Sequence, residues 1–305
     1  MDRNAVLAWV ESPLQLIGAA EWGAAHRRAV PVAGRLTAQM PETADELLAR
    51  RAWFGRMDPY LGIPWKLLSQ HGHWLIGDGF SGQFRLAAAV LRPRQITFLD
   101  DGSNTIPLVE SLVGSRPYAR PGIEERGLTT RLRPFALENV RRAARARNAT
   151  VYSAFDLGVE REDALANLGF SVHHHSFEWT RSSAQGVAVK PRARRIVLGS
   201  ARPVDGRMPI EHYTRWVAHI AAAGAVEYFP HRRETPSQLE AVRAIAGVAV
   251  VQTSLPIELI LAGHPTPVDV FSQPSTTTTT LPLVLRGTGS RVHKSAPSPE
   301  IGIST

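Results

Sequence analysis

Four clusters of polar residues in this 305-residue chain have side chains and positions suited to chemistry. Each one follows a short apolar run of the kind that forms a buried parallel strand. In open α/β sheets, ligands bind at the carboxyl ends of the strands. The candidate functional residues therefore lie in segments 12–15, 100–103, 230–234 and 272–277.

Asp100 and Asp101 place two carboxylates on one predicted turn. Like charges this close raise the pKa of one carboxyl group, which suits a general base. The alternative interpretation is structural: an acidic turn that also caps the next helix.

His231 follows a predicted strand and precedes Arg232 and Arg233. An imidazole can donate a proton or a hydrogen bond to a leaving phosphate, and Arg232 would add positive charge. A loop histidine without a chemical role is the alternative interpretation.

Ser275 and Thr276 offer hydroxyl and backbone N–H groups at the predicted start of a helix, a geometry that binds anions. The alternative is a threonine-rich helix cap. Glu258 has the oxygens to accept hydrogen bonds from ribose hydroxyl groups. Its alternative role is that of an acidic residue in a first helical turn, where it favours the helix dipole.

The composition and the motifs exclude several kinds of site. The chain has no cysteine, which excludes disulfides, zinc–thiolate sites, iron–sulfur clusters and cysteine nucleophiles. It has neither a Walker P-loop nor a GxGxxG motif, which argues against NTPase and NAD-dependent chemistry. His173, His174 and His175 are adjacent, but successive residues of a strand point to opposite faces, so they are not expected to bind one metal ion. We expect no metal and no cofactor.

The net charge is +8, in a chain that is 44% hydrophobic and 20% charged, as folded domains are. The positive charge suits an anionic partner such as a nucleotide, an acidic glycan or an anionic membrane surface. Arg141, Arg142, Arg145 and Arg147 lie on one predicted helix, interpreted as a solvated face, with acceptor or membrane contact as the alternative. No recognition-helix or zinc-finger pattern accompanies them, so nucleic acid is not an expected partner.

No run approaches the ~20 apolar residues of a membrane span. The first residues also lack the pattern of a signal peptide. The expected location is the cytoplasm, with peripheral contact to the inner membrane face as an option.

Strands and helices alternate along the chain. Ser12 followed by Pro13 is a typical helix start, so the chain opens as strand, tight turn and helix. Segment 117–134 is predicted to be a loop or lid, and the polar segment 181–194 to be a linker. The predicted strands are 5–10, 73–79 with its Gly-rich turn, 95–99, 150–155, 170–173, 195–198, 225–229, 248–251 and 268–271. The predicted helices are 14–22, 42–54, 82–91, 104–113, 135–147, 161–168, 210–223, 236–245, 256–262 and 277–285.

This alternation predicts the α/β class, with two Rossmann-like, doubly wound domains that face each other across a cleft. The predicted domains are 1–185 and 195–286, followed by a flexible tail at 287–305.

Taken in order, the motifs resemble those of bacterial sialyltransferases of the two-Rossmann (GT-B) type. The similar families are the α-2,8-polysialyltransferases and the lipooligosaccharide sialyltransferases, which carry an acidic-acidic-Gly motif, a His-Pro motif and a Ser-Ser/Thr motif. This chain has FLDDGS at 98–103, FPHRRE at 229–234 and FSQPST at 271–276. ESPLQL at 11–16 and LPIEL at 255–259 also resemble family segments, so the resemblance spans about residues 5–285. One difference is that the proline precedes His231, and Arg232 follows it.

The resemblance implies a glycosyltransferase that moves a sialic or other nonulosonic acid from a CMP-activated donor to a glycan hydroxyl group. Inversion at the anomeric carbon is the family expectation, and no metal is required because CMP leaves already anionic. Asp101, with Asp100 as second choice, would be the base that deprotonates the acceptor. His231 would assist the departure of CMP.

The resemblance also assigns the binding of the donor. Ser275 and Thr276 would hold its phosphate, and Glu258 its ribose. Gly199 and Ser200 would line the nucleotide site. Domain 1–185 would bind the acceptor, and domain 195–286 the nucleotide sugar.

Two alternatives remain open. The chain could be a glycosyltransferase of the same fold that uses a UDP- or GDP-sugar, since Arg232 stands where the family has proline. It could instead be a non-catalytic relative that binds a glycan or a nucleotide.

Overall fold

The computed structural model describes residues 5–125, 127–184 and 191–294. The chain divides after Ser183 into two compact units, each built on a parallel sheet. Part of the predicted linker (185–190) and part of the predicted tail (295–305) lie outside the described residues, as do residues 1–4.

The first unit is a seven-stranded sheet in the order β3-β2-β1-β4-β5-β6-β7. Its strands are β1 (Val6–Val10), β2 (Val30–Arg35), β3 (Phe54–Tyr60), β4 (His73–Ile76), β5 (Gln95–Phe98), β6 (Ala149–Ser153) and β7 (Phe170–His174). Its helices are α1 (Pro13–Ala25), α2 (Met40–Ala49), α3 (Trp65–Gln70), α4 (Gly82–Leu91), α5 (Thr105–Val113), α6 (Leu128–Arg131), α7 (Arg133–Arg145), α8 (Val159–Asn167) and α9 (Glu178–Ser182). A 3-10 turn spans Gly102–Asn104.

The start of this unit shows why an uninterrupted apolar run forms its central strand. All five residues of β1 are buried, as expected for a parallel strand covered on both faces. Ser12 then precedes α1 as its N-cap residue, and Pro13 is the first helical residue, as predicted. The chain therefore turns sharply at the carboxyl end of β1.

The second unit is a five-stranded parallel sheet in the order β10-β9-β8-β11-β12. Its strands are β8 (Arg195–Leu198), β9 (Val226–Phe229), β10 (Val248–Val250), β11 (Asp269–Ser272) and β12 (Arg291–Lys294). Its helices are α10 (Ile210–Ala221), α11 (Pro236–Arg243), α12 (Ile257–Leu261) and α13 (Thr277–Val284).

Side chains of β8 alternate between two apolar clusters. Ile196 and Leu198 belong to one cluster, and Val197 belongs to the other. Because successive side chains of a strand point to opposite faces, this sheet is buried on both sides. The predicted fold class, two Rossmann-like α/β domains, is confirmed.

Both sheets reverse their strand order at an internal point. The reversal lies between β1 and β4 in the first unit, and between β8 and β11 in the second. Ligands of doubly wound folds bind outside the carboxyl ends of the strands at such a point. The four polar clusters follow β1, β5, β9 and β11, so they lie at or beside these two reversals.

Several predictions about the elements were wrong. Neither β2 nor β3 was predicted, and the helix predicted at 42–54 ends at Ala49. The segment 117–134, predicted as a loop or lid, contains α6 and the start of α7. β2 contains proline and glycine, and β3 is a largely exposed edge strand without an apolar pattern. The predicted tail begins too early, because Arg291–Lys294 pairs with β11 as a polar edge strand. Within the described ranges, no helix has the length and apolarity needed to cross a membrane.

Candidate functional site

Asp101 lies just beyond the carboxyl end of β5 and is held by a residue from the first turn of α1. Gln15 donates a hydrogen bond from Nε2 to Asp101 Oδ1 (2.5 Å), while its own Oε1 accepts one from the backbone N–H of Glu11 (2.6 Å). Gly77, after β4, makes room for this side chain, because a Cβ there would lie 2.2 Å from Gln15 Oε1. Residues at the carboxyl ends of β1, β4 and β5 thus fix the position of Asp101 Oδ1.

The other oxygen of Asp101 has different partners. Asn104 Nδ2 donates to Asp101 Oδ2 (2.9 Å), and Arg120 Nη1 lies 3.9 Å from the same oxygen. The backbone N–H of Asp101 donates to Thr105 Oγ1 (3.0 Å). The carboxylate is therefore oriented by bonds to both of its oxygens.

Arg120 also forms an ion pair with Asp78, the residue that follows the Gly77 turn. Asp78 in turn accepts a hydrogen bond from the backbone N–H of Phe80 (2.9 Å). One guanidinium therefore serves two carboxylates at the ends of β4 and β5.

The segment that carries Arg120 is anchored at Glu125. Glu125 accepts hydrogen bonds from Arg85, from Arg133 (2.7 Å) and from the backbone N–H of Arg120 (3.0 Å). Burial alone would raise the pKa of Glu125, but these bonds hold it down at about 2. The carboxylate stays ionised and keeps Arg120 in place.

Burial raises the pKa of Asp101 to about 7, with a further increase from the charge of Asp78. Hydrogen bonds from Asn104 and Gln15 and the charge of Arg120 oppose the shift. A carboxyl group that titrates near neutral pH can take a proton from a hydroxyl group in a transition state and release it again. This is the chemistry expected of a general base.

Asp100 is placed differently from its neighbour. It is only 2% exposed, and its oxygens accept hydrogen bonds from Ser153 Oγ and from the backbone N–H of Ala154 (2.7 Å). His175 Nε2 lies 3.3 Å from Asp100 Oδ2. The carboxylate of Asp100 therefore ties the end of β5 to the end of β6 and faces the interior, unlike that of Asp101.

An open depression of about 440 Å³ lies beside Asp78 and Arg120. It is lined by Glu11, Arg35, Asp78, Phe80, Ser81, Gly82, Gln83, Arg120, Ile123 and Glu125. Another cavity, of about 260 Å³, lies at the amino ends of β4 and β5, away from Asp101.

In the second unit, the loops after β8 and β9 meet at Glu234. Glu234 Oε1 accepts hydrogen bonds from Tyr228 Oη (2.8 Å) and from the backbone N–H of His231 (3.2 Å). A Cβ at position 199 would lie 2.1 Å from Glu234 Oε1 and 2.4 Å from His231 N, so only glycine fits there. Burial raises the pKa of Glu234 to about 7.

His231 is half-buried, and its Nδ1 accepts a hydrogen bond from the backbone N–H of Arg233 (3.2 Å). Burial lowers the pKa of His231, and the charges of Arg232 and Arg233 lower it further, against the effect of Asp205. The ring is therefore neutral at pH 7 and carries its proton on Nε2. That atom is a hydrogen-bond donor available to a ligand.

Ser275 and Thr276 lie in the turn between β11 and α13. Ser275 is exposed, its Oγ lies 2.7 Å from Thr277 Oγ1, and Thr276 is the residue before the helix. Glu258, by contrast, is buried, and its Oε1 accepts a hydrogen bond from Thr280 (2.7 Å). Burial raises the pKa of Glu258. Glu258 thus bonds α12 to α13, which argues against the predicted role in ribose binding.

Several predicted residues of the second unit follow neighbouring strands of its sheet. Gly199 and Ser200 follow the central strand β8, His231 follows the neighbour on one side, and Ser275 follows the neighbour on the other. Arg232 is exposed on the same loop as His231.

Four residues of the two sites were not assigned roles from the sequence. Asp78 follows a predicted strand, so the rule applied to the other clusters would have found it. Gln15 and Glu234 lay within predicted clusters, but nothing in their spacing shows which carboxylate or loop they contact. Arg120 lies in a predicted loop and carried no signal.

The comparisons with known proteins show the fold and nothing finer. No protein-family model matches the chain, and no curated protein matches its sequence. Among solved structures, the chain is similar to a protein designated a UDP-N-acetylglucosamine 2-epimerase from Listeria monocytogenes. The TM-score is 0.58 and the identity 13%, over 96% of this chain and 79% of that one.

The chain is also similar to the Escherichia coli heptosyltransferase WaaC with ADP, with a TM-score of 0.44 and 11% identity, over 92% of this chain and 84% of that one. The similarity to the Listeria protein agrees with the strand orders of the two sheets. The fold is of the GT-B type, with two Rossmann-like domains.

Proposed function

We propose that the chain is a glycosyltransferase that moves a nonulosonic acid, such as sialic acid, from a CMP-activated donor to a hydroxyl group of a glycan. The observation that carries this proposal is the Asp101 site: one oriented carboxylate whose pKa is about 7, at a strand end of a GT-B-type domain. The ordered motifs of the sequence favour the nonulosonic acid and CMP.

Asp101 acts as the base in this mechanism. It takes the proton of the acceptor hydroxyl group while the acceptor oxygen forms a bond to the anomeric carbon of the donor. The bond from that carbon to the phosphate oxygen breaks, and CMP leaves with the electron pair. Attack opposite the leaving group inverts the anomeric centre. We assign this role to Asp101 alone, because the carboxylate of Asp100 is bonded inside the fold.

The second unit holds the donor. His231 donates from Nε2 to the phosphate of CMP and so stabilises the charge that develops there. Ser275 and Thr276 add hydroxyl and backbone N–H donors to the same phosphate, and Arg232 adds positive charge. Gly199 and Ser200 line the nucleotide site. The negative charge of the leaving group is thus met by protein donors, and the proposal requires no metal and no cofactor.

A UDP- or GDP-sugar donor is the second candidate, because Arg232 stands where the resembling families have proline. An extra guanidinium beside His231 suits a diphosphate, which carries more negative charge than the single phosphate of CMP. We place either enzyme in the cytoplasm, with peripheral contact to the inner membrane face as part of the proposal.

Thermal unfolding in the presence of CMP, UDP and GDP tests the choice of donor. A nucleotide at 100 times its Kd stabilises the unit that binds it by about 2.7 kcal/mol, which raises Tm by several degrees. We expect CMP to give this shift, and the variant His231→Gln to reduce it.

His219→Gln is the matched control, because His219 is an exposed residue of α10 outside the candidate donor residues. It should leave the CMP shift unchanged. Stabilisation by UDP or GDP but not by CMP would overturn the nonulosonic acid proposal in favour of the second candidate. A protein stabilised by CMP that neither hydrolyses nor transfers a CMP-sugar would be a non-catalytic relative.

A further inference from the structure

The depression of the first unit is lined by charged side chains that are already paired. Arg35 Nη1 lies 2.7 Å from Glu11 Oε2, and Arg120 pairs with Asp78. Glu125 is held by arginines from α4 and α7. Both guanidinium groups among the described lining residues have a carboxylate partner.

Neither guanidinium group of the lining is left over for an anionic ligand, and the arginines that compensate Glu125 do not line the depression. Three carboxylates, those of Glu11, Asp78 and Glu125, face two guanidinium groups, those of Arg35 and Arg120. A ligand carboxylate or phosphate in the depression would compete with Glu11 and Asp78 for these guanidinium groups and would approach the carboxylates themselves. Like charges at such a distance repel each other, which weakens the binding of an anion.

The remaining lining residues supply other kinds of contact. Ser81 and Gln83 offer neutral donors and acceptors, and Ile123 is 56% exposed and presents an apolar surface. A volume of about 440 Å³ lies within the range of small-molecule sites.

We propose that this depression binds a neutral sugar, and hence that the acceptor residue held beside Asp78 and Arg120, the latter a neighbour of Asp101, carries hydroxyl groups and no negative charge. Sugar hydroxyl groups donate to the carboxylates and accept from the guanidinium groups without breaking the ion pairs. The C–H face of the ring packs on Ile123. The inference rests on the proposed function only in calling the bound sugar the acceptor.

Saturation-transfer difference NMR on the full chain tests the class of ligand without any donor. The probes are the methyl glycosides of glucose, galactose, N-acetylglucosamine and N-acetylgalactosamine, together with the methyl glycosides of glucuronate and galacturonate. Each uronate differs from its hexose only by a carboxylate at C6. We expect at least one neutral glycoside to bind, and uronates to bind at least fivefold more weakly than the matching hexoses.

Two results would overturn the proposal. One is a uronate that binds as tightly as its hexose or more tightly. The other is the absence of binding by every neutral glycoside.

The variant Glu11→Gln tests whether the ligand binds in the depression. It leaves Arg35 without its carboxylate partner, so the affinity ratio of uronate to hexose should rise severalfold. Asp58→Asn is the matched control, because it frees Arg56 from a 2.6 Å pair on β3 that does not line the depression. This control should leave the ratio unchanged. An unchanged ratio in Glu11→Gln, or an equal rise in both variants, would contradict the proposal.

These results are separable from those of the nucleotide experiment. Sugar binding without nucleotide binding would support the neutral-sugar site and overturn the proposed glycosyltransferase function. Nucleotide binding together with a preference for uronates would support the glycosyltransferase function and overturn the neutral-sugar site.

Discussion

Replacing Arg120 with glutamine should reduce the fraction of Asp101 that is ionised at neutral pH. The guanidinium lies 3.9 Å from Asp101 Oδ2 and also pairs with Asp78. Its positive charge favours the ionised form of Asp101. Without it, a proton binds to Asp101 more readily.

The size of the effect follows from the distance. For unit charges 3.9 Å apart, Coulomb's law gives about 1 kcal/mol in a water-like dielectric and about 4 kcal/mol at an effective dielectric of about 20. This range corresponds to a rise of about 1 to 3 pKa units. A rise of the Asp101 pKa from about 7 to about 8 reduces the ionised fraction at pH 7 by about fivefold.

Two measurements follow this change. The acidic limb of the pH–rate profile should move to higher pH, and carboxyl ¹³C NMR of Asp101 should show its raised pKa directly. The NMR readout does not depend on the identity of the substrate.

Arg133→Gln is the control. It removes a hydrogen bond to Glu125 on the same segment but contacts neither aspartate, so the pKa of Asp101 should not move. If the pKa of Asp101 does not rise by half a unit in Arg120→Gln, the electrostatic account of this site is wrong.

Two further predictions concern stability. Burial, aided by the charge of Arg28, lowers the pKa of His73 from 6.5 to about 3. The contribution of this shift to the free energy of unfolding is therefore present above pH 6.5 and is lost as the pH falls toward 3. Urea unfolding of the wild type should show a loss of about 2 kcal/mol from this group between pH 7 and pH 5, and His73→Gln should remove that part of the slope; an equal slope in both proteins would refute the assignment. Gly199→Ala drives a Cβ into Glu234 and the backbone of His231 and should cost about 1 to 3 kcal/mol, measured as a lower Tm together with weaker nucleotide binding. A fully stable Gly199→Ala variant would show that the two loops do not meet as described.

The sequence predicted most strands of both sheets and missed three of them, β2, β3 and β12. β1 and β8 are uninterrupted apolar runs, because parallel strands covered on both faces exclude polar residues. β3 and β12 lie at sheet edges, where half of the surface faces solvent and polar residues are tolerated. No apolar pattern marks such strands.

The site was predictable where a residue follows a strand, and hidden where a contact is long-range. Asp101 and His231 were predicted as site residues because the carboxyl ends of strands concentrate ligand contacts, and their roles stay predictions. Asp101 was preferred over Asp100 through the family resemblance alone, and the packing of β6 shows that Asp100 is turned inward. Arg120 reaches Asp78 across 42 positions of the chain, a contact that spacing along the sequence does not reveal.

The release of CMP from CMP-N-acetylneuraminate, followed by ³¹P NMR in the presence of the neutral glycoside that binds best, tests the central role of Asp101. We predict steady release by the wild type and a rate at least ~100-fold lower for Asp101→Asn, the loss expected when a general base is removed. Equal rates in the two proteins, or no release by either, would contradict the account.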